Sequence, residues 1–88
     1  MRIEQMTGRT GQAVANQFII REAGREVFQS YSSIIAVRST ISGKILLDRD
    51  KWDYSVTTGK YRNQFLNETK KETEKKIKSG EYTLINLN

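Results

Sequence analysis

The sequence has no cysteine, no histidine and no proline among its 88 residues. Without cysteine there is no disulfide framework and no thiolate ligand or nucleophile, and without histidine there is no imidazole base for a Ser-His-Asp triad. An enzyme of this composition would take every acid–base group from Asp, Glu, Lys or Tyr. We therefore expect a protein that is not an enzyme, that needs no cofactor or metal, and that acts by binding.

Long apolar runs are also missing, and the longest is only a few residues, as in Ile34-Ile35-Ala36-Val37. A membrane-spanning helix needs about 20 apolar residues, so none is predicted. The opening Met1-Arg2-Ile3-Glu4 does not resemble a signal peptide, so a cytoplasmic protein is expected. The length suits a single domain, which we predict over residues 1–88, with residues 1–16 as a mobile or edge segment.

Positive charge is what the sequence has in excess. Fifteen Lys and Arg residues against ten Asp and Glu residues give a net charge of +5. The densest stretch, from residue 60 to residue 78, holds seven cations and three acids. A field of this sign attracts nucleic acid or an acidic protein surface. The candidate binding residues are Lys60, Arg62, Lys70, Lys71, Lys75 and Lys78.

The same stretch also fits a solvated helix face rich in Lys and Glu. Glu72–Lys76 and Glu74–Lys78 are each spaced four residues apart, which is the spacing of stabilising ion pairs on a helix. On this interpretation the charges stabilise the helix and bind no partner. Both interpretations stay open at the level of the sequence.

Apolar residues in the first half of the chain predict antiparallel strands. The runs 17–21 and 26–31 flank Gly24, which can adopt the positive φ of a tight hairpin. A second hairpin is predicted between the runs 34–38 and 45–47. Which face of each strand is buried stays open, because runs such as Phe18-Ile19-Ile20 are apolar at successive positions.

The second half of the chain changes to a helical period. The residues predicted to face inward on a first helix are Tyr61, Phe65 and Leu66, and those that can cap its start are Ser55, Thr57 and Thr58. Asn67 interrupts this helix, and Thr69 and Glu72 form the capping box of a second one, which ends at Gly80. The run 82–87 is a final strand. These elements predict an α+β fold, with a small antiparallel sheet of about four to five strands and one or two helices packed on one face.

Two short motifs resemble phosphate-binding loops, and both matches are incomplete. Gly8-Arg9-Thr10-Gly11 has the GxxG form of a loop that clamps a nucleic-acid backbone, but its flanking residues do not indicate the two helices that such a module needs. Thr58-Gly59-Lys60 matches the end of a P-loop, but Tyr54 and Tyr61 stand where the motif needs Gly and Ser or Thr. We expect a plain loop and a helix cap, respectively.

Asp48, Asp50 and Asp53 form the only acidic cluster with metal-like spacing. Carboxylate oxygens suit hard cations, but the spacing departs from that of the calcium loop, and Arg49 and Lys51 stand between the acids. A polar turn after a strand is therefore predicted, with no metal site.

One longer pattern is familiar. Phe28-x-Ser30-Tyr31 followed by Ile35-Ala36, a hairpin, and then Tyr54-Ser55-x-Thr57-Thr58-x-Lys60 resembles a family of small uncharacterised phage and prophage proteins, a domain of unknown function. The resemblance covers about residues 26–87, and residues 1–25 are additional. It implies an intracellular accessory protein of the phage type and carries over no catalytic or binding residue.

Two functions follow as expectations. The first is an accessory protein that binds a host or defence protein as an inhibitor or adaptor, in the cytoplasm of the host cell. The second is a small basic protein that binds nucleic acid through the stretch from Lys60 to Lys78. We expect this nucleic-acid binding to be loose and sensitive to salt, because no aromatic platform is evident beside the cations.

Overall fold

The computed structural model describes all of residues 1–88, which form six strands and two helices. The strands of the sheet are β1 (Arg2–Thr7), β2 (Ala13–Glu22), β3 (Arg25–Ser30), β4 (Ser33–Ser39), β5 (Ile45–Asp48) and β6 (Tyr82–Ile85). The helices are α1 (Val56–Leu66) and α2 (Lys70–Ser79), both between β5 and β6. Neither helix is long and apolar enough to cross a membrane.

The six strands form one sheet in sequence order, from β1 at one edge to β6 at the other. The first five strands pair antiparallel, while β6 pairs parallel to β5 because both helices lie in the connection between them. The α+β fold class is therefore confirmed, with one strand more than expected. The additional strand is β1, which falls in the segment predicted to be mobile or at an edge and pairs Ile3 with Ile20 of β2.

The core lies between the sheet and the helix layer, by which we mean residues 55–80. Phe28 of β3 is fully buried, and its ring lies 5.8 Å from that of Phe65. The three residues predicted to face inward from α1 are all buried, which confirms the helical period of that segment. The buried cluster consists of Met6, Phe28, Ile35, Ala36, Ile45, Leu47, Tyr61, Phe65, Leu66 and Tyr82.

The first helix begins at Val56, and its cap is the first of the three hydroxyl residues that the sequence offered. Ser55 is the N-cap and accepts a hydrogen bond from the Thr58 N–H at 3.1 Å, which confirms that candidate, while the choice of Thr57 or Thr58 was wrong. The Thr58 hydroxyl is instead fully buried, 2.9 Å from the Ser30 hydroxyl of β3. The helix ends at Asn67, as predicted, with φ 56°.

The second helix has the ends that its sequence predicts. Thr69 and Glu72 form the capping box, and Gly80 ends the helix with a left-handed φ of 84°, which glycine adopts without strain. Only Thr73 is buried on this helix, while Ile77 is partly buried against the core. The helix therefore packs by a narrow stripe and leaves most of its surface in solvent.

Candidate binding surface

All six cations singled out by sequence lie in the helix layer, and the structure divides them into two groups. Lys60, Arg62 and Lys70 line a hollow of about 420 Å³ beside the first turn of α1. Lys71, Lys75 and Lys78 lie on α2 at positions i, i+4 and i+7, and each is exposed. Residues at this spacing share one side of a helix, so the second group forms a row, which we call the lysine row.

Arg62 does not reach the surface as a binding cation would. It is 1% exposed, and its Nη1 donates to the Trp52 carbonyl oxygen at 2.6 Å and to Asp53 Oδ1 at 3.1 Å. The guanidinium also lies over the Trp52 ring, 5.1 Å from the centroid. These contacts join α1 to the turn that precedes it. Arg62 therefore holds the fold at this point, and its charge is largely used inside the protein.

Asp53 neutralises part of the charge of the hollow. Its second oxygen accepts a hydrogen bond from Lys70 Nζ at 2.7 Å, so one carboxylate bridges two of the three cations. Burial opposes the ionisation of Asp53, but hydrogen bonds from Lys70 and Arg62 outweigh it and hold its pKa below the usual value. The same hydrogen bond raises the pKa of Lys70. Lys60 is the only cation of the hollow without a carboxylate partner.

The lysine row is free of ion pairs. The predicted pairs Glu72–Lys76 and Glu74–Lys78 do not form, because Glu72 closes the capping box and Lys76 turns to Glu68, at 2.8 Å. The ion pairs of the helix layer involve only Arg62, Lys70 and Lys76 among its cations. The two pairs therefore no longer support the interpretation that these charges only stabilise the helix.

Glu68 is the most enclosed carboxylate of the helix layer, with a side chain 4% exposed. It accepts hydrogen bonds from Lys76 Nζ, from the Thr73 hydroxyl and from the Tyr82 hydroxyl, at 2.8, 2.5 and 2.8 Å. Burial opposes its ionisation, but these three donors outweigh it and lower its pKa, while burial and this carboxylate raise the pKa of Tyr82 to about 12. The cluster fixes α2 against β6 and so fixes the direction in which the lysine row points.

The three aspartates have separate structural tasks. Asp48 is 2% exposed and accepts from the Leu87 and Asp50 backbone N–H groups at 2.7 and 3.2 Å, which ties down the C-terminal segment. Asp53 bonds to Arg62 and Lys70, as described above. Asp50 is exposed and lies 3.8 Å from Arg49. No group of three or more His, Cys, Asp or Glu residues converges to hold a metal ion.

The GxxG segment does not lie between helices. It forms the turn from β1 to β2, where the Gly8 N–H donates to the Gln12 carbonyl oxygen at 2.9 Å and Gly11 has a positive φ of 84°. This is the arrangement of a hairpin connection. The residues lack the helical frame in which a nucleic-acid clamp of this type is built.

Sequence patterns did not reveal the second exposed surface, which is the side of the sheet away from the helix layer. We call it the open face, and its central residues are Ile3, Gln5, Phe18, Ile20, Val27, Gln29, Ile34, Val37, Leu46 and Thr83. The available signal was the run Phe18-Ile19-Ile20, which is apolar on both sides of its strand. Such a run predicts a strand with an apolar residue on each face.

The pattern of DUF8033, a family of unknown function, matches residues 1–81, and the chain belongs to that family. The match includes β1 and β2 as well as residues 26–81 of the stretch on which the resemblance above rests. No match was found among curated proteins or among solved structures.

Proposed function

We propose that this member of the DUF8033 family is a small accessory protein of the phage type, which binds an acidic surface of a host or defence protein and catalyses no reaction. We place this activity in the cytoplasm of the host cell. The observation that carries the proposal is the lysine row, whose three cations are exposed and have no carboxylate partner.

The lysine row is held in place before any partner arrives. Capping groups fix both ends of α2, and the Glu68 cluster fixes the helix against β6. A charged surface that is already ordered loses less entropy on binding than one on a mobile segment. Lys60 adds a further exposed cation in the same layer, on α1.

An acidic protein suits this surface better than a nucleic acid does. Glu72 and Glu74 lie exposed between the lysines and would repel a continuous phosphate backbone. Single-stranded nucleic acid also needs aromatic rings on which its bases stack. The rings of Tyr61 and Tyr82, which lie near Lys60 and Lys76, are each 6% exposed. The exposed ring of Tyr54 lies outside the helix layer, 5.5 Å from Lys51 Nζ. A protein partner requires neither feature, because its acidic groups can be spaced to match the lysines.

Nucleic-acid binding is the second candidate, and the hollow beside α1 favours it. Three cations line that hollow against the single carboxylate of Asp53. One phosphate group could contact Lys60 and Lys70 there. We expect such binding to be weak, with a dissociation constant of about 10⁻⁴ to 10⁻⁶ M at physiological salt, the range of non-specific association.

Affinity capture from host lysate tests the proposal, with and without nuclease. The bait is the wild-type chain, the Lys71→Glu/Lys75→Glu variant, or Arg9→Glu as a control. Arg9 is also exposed and without an ion pair, but it lies in the turn between β1 and β2, outside the helix layer. We expect a protein that resists nuclease, is lost from the double variant and is kept by the control.

Fluorescence anisotropy with single-stranded and duplex oligonucleotides over a salt series decides between the two candidates. Each phosphate contact adds about 0.9 to the slope of log affinity against log salt for duplex DNA. Nanomolar binding at physiological salt, abolished by Lys70→Glu/Lys71→Glu, would replace the protein partner with nucleic acid. Capture that disappears on nuclease treatment would lead to the same conclusion.

A further inference from the structure

The open face has two rows of residues that contain no charged side chain. The first row crosses the whole sheet, and each member is the cross-strand partner of the next: Ile3, Ile20, Val27, Val37, Leu46 and Thr83. The second row lies beside it and consists of Gln5, Phe18, Gln29 and Ile34. An antiparallel sheet that packs on a core by one face normally has polar residues on its other face. This sheet departs from that rule.

Most of the open face is in contact with solvent, although the Asn88 side chain bonds to it at the backbone of Ile34. Ile3 is 59% exposed, and Phe18, Ile20, Val37 and Leu46 are partly exposed. Val27, in the middle of the first row, is only 4% exposed. Two hollows flank the middle of the first row. One, of about 240 Å³, is lined by Ile3, Phe18, Ile20 and Gln29. The other, of about 380 Å³, has Val37 and Leu46 beside polar and charged residues, among them Arg25 and Lys44.

We propose that a second copy of this chain covers the open face, so that the protein is a dimer with its two sheets packed face to face. The molecule extends 35 by 29 Å along its two longer axes. These extents bound the face at roughly 1,000 Å², and a standard stable interface buries about 800 Å² per partner. An interface of that size takes in most of the open face, that is, the two rows together with the polar and charged residues at its rim. Face-to-face packing of apolar sheets is also a standard arrangement, with the sheets about 10 Å apart.

Charge favours the open face over the helix layer as the contact between two copies. Each chain has a net charge of +5, so two copies repel one another wherever their cations meet. Contact through the helix layer would bring two lysine rows together. Contact through the open face places the helix layers on opposite outer surfaces, about 30 Å apart, which is several times the Debye length of about 8 Å at physiological salt. The charged residues at the rim include Glu22 and Arg25, which already neutralise each other at 2.7 Å.

This inference does not depend on the proposed function, because it rests on other residues. It does add a consequence: the dimer would present two lysine rows on opposite sides. A partner with two acidic surfaces, or two copies of one partner, could then bind with the gain in affinity that bivalence gives.

Sedimentation equilibrium of the full chain from about 1 to 100 μM tests the dimer, a range that detects dissociation constants near the micromolar level. The test variants are Ile3→Lys and Ile3→Lys/Thr83→Lys. Both positions are exposed and on the edge strands, so the fold is expected to survive, as circular dichroism will check. The control is Val56→Lys, which adds the same charge to the helix layer at a position 91% exposed.

We expect the wild type and Val56→Lys to be dimers of similar affinity, and Ile3→Lys to dissociate at least about tenfold more readily. The double variant should be a monomer over the whole range. The dimer should also persist at 1 M NaCl, since apolar contacts are not screened by salt. A wild type that stays monomeric at the highest concentration overturns the proposal, as does a dimer that both variants leave intact. A monomer whose capture of a host protein is lost in Ile3→Lys assigns the face to that protein instead.

Discussion

The strands and the helices of this protein use positive charge in opposite ways. Every arginine within a strand is paired with a glutamate of the sheet: Arg2 with Glu4, Arg21 with Glu4 and Glu26, Arg25 with Glu22, and Arg38 with Glu26. On the helices the exposed Lys60 and the lysine row have no such partner. Arginine suits pairing with the glutamates of the sheet, because its planar guanidinium forms several directed hydrogen bonds at once.

The two regions therefore differ in what their charges are free to do. In the sheet, Glu26 alone links Arg21 of β2 and Arg38 of β4 across β3, so these charges join strands. In the helix layer Lys60 and the lysine row join no elements together, because solvent surrounds them and no carboxylate pairs with them. The excess of +5 counted over the chain is concentrated where it can meet a partner. A count of charges along the sequence does not distinguish these two uses.

The largest effect is expected where the two regions meet. Phe65 packs against Phe28 of the sheet, and the Arg38 guanidinium lies 4.4 Å from its ring centroid. We expect Phe65→Ala to lower the free energy of unfolding by about 3–5 kcal/mol, because it leaves a cavity in a small core. Urea unfolding measures the change, with Val56→Ala, 91% exposed, as the control. A Phe65→Ala variant that unfolds at the same urea concentration as the wild type would contradict the assigned packing.

Glu68 provides the next largest test, because it is the one glutamate of the helix layer that pairs with a cation, as the glutamates of the sheet do. Glu68→Gln keeps the shape of the side chain but removes the negative charge of the carboxylate, which accepts three hydrogen bonds. We expect a loss of about 1–3 kcal/mol in the free energy of unfolding. Glu74→Gln is the matched control, because Glu74 is exposed and in no ion pair, and it should change stability very little. Equal effects of the two changes would show that the Glu68 cluster does not stabilise the fold.

Acid should weaken both regions through their paired carboxylates. The pKa values of Glu4, Asp48, Asp53 and Glu68 are all lowered in the folded protein. A carboxylate whose folded pKa lies below its unfolded value, which is about 4, stabilises the fold above that pH and loses this effect as pH falls through the folded pKa. Thermal unfolding should therefore move to lower temperature as pH drops below about 4. The shift should be smaller in Glu68→Gln, and an equal shift in that variant would assign the effect to the other carboxylates.

The sequence predicted the helix layer well because its signals are local. The capping box at Thr69, the interruption at Asn67 and the stop at Gly80 each depend on residues within a few positions of one another. The α+β class followed from the change of period along the chain. Local signals did not decide between Ser55, Thr57 and Thr58 as the cap of α1, because these three hydroxyl residues stand close together. The structure assigns the cap to Ser55 and buries the Thr58 hydroxyl against Ser30.

The features that the sequence did not reveal depend on contacts between distant residues. Arg62 was grouped with the surface cations, and its burial depends on Trp52 and Asp53 folding back over the start of α1. The open face depends on the register of six strands, which places Ile3 and Leu46 in one row although they are far apart in the chain. The absence of the predicted Glu72–Lys76 pair depends on the contact of Lys76 with Glu68, which comes from the turn before α2.

A metal titration separates carboxylates that are used internally from carboxylates that are free to bind. Asp48 and Asp53 are engaged by N–H groups and cations, in the manner of the sheet glutamates. We expect calorimetry with calcium, magnesium and manganese to detect no binding tighter than about millimolar. Stoichiometric binding in the micromolar range would show that these carboxylates are available and would reopen the question of metal-dependent chemistry.

The smallest expected effect is on the stability of the Lys71→Glu/Lys75→Glu variant. If the lysine row is not used by the fold, this double charge reversal should change the free energy of unfolding by no more than about 0.5 kcal/mol. Lys71 lies in the first turn of α2, where a negative charge interacts favourably with the helix dipole, and this offsets any new repulsion from Glu72 and Glu74.

In the sheet, by contrast, Glu26→Gln removes the partner of both Arg21 and Arg38 and should lower the free energy of unfolding by about 1–3 kcal/mol. Urea unfolding of both variants at physiological salt makes the comparison directly. Similar losses from the two would mean that the helix lysines also serve the fold, and the lysine row would then no longer stand out as a surface kept for a partner.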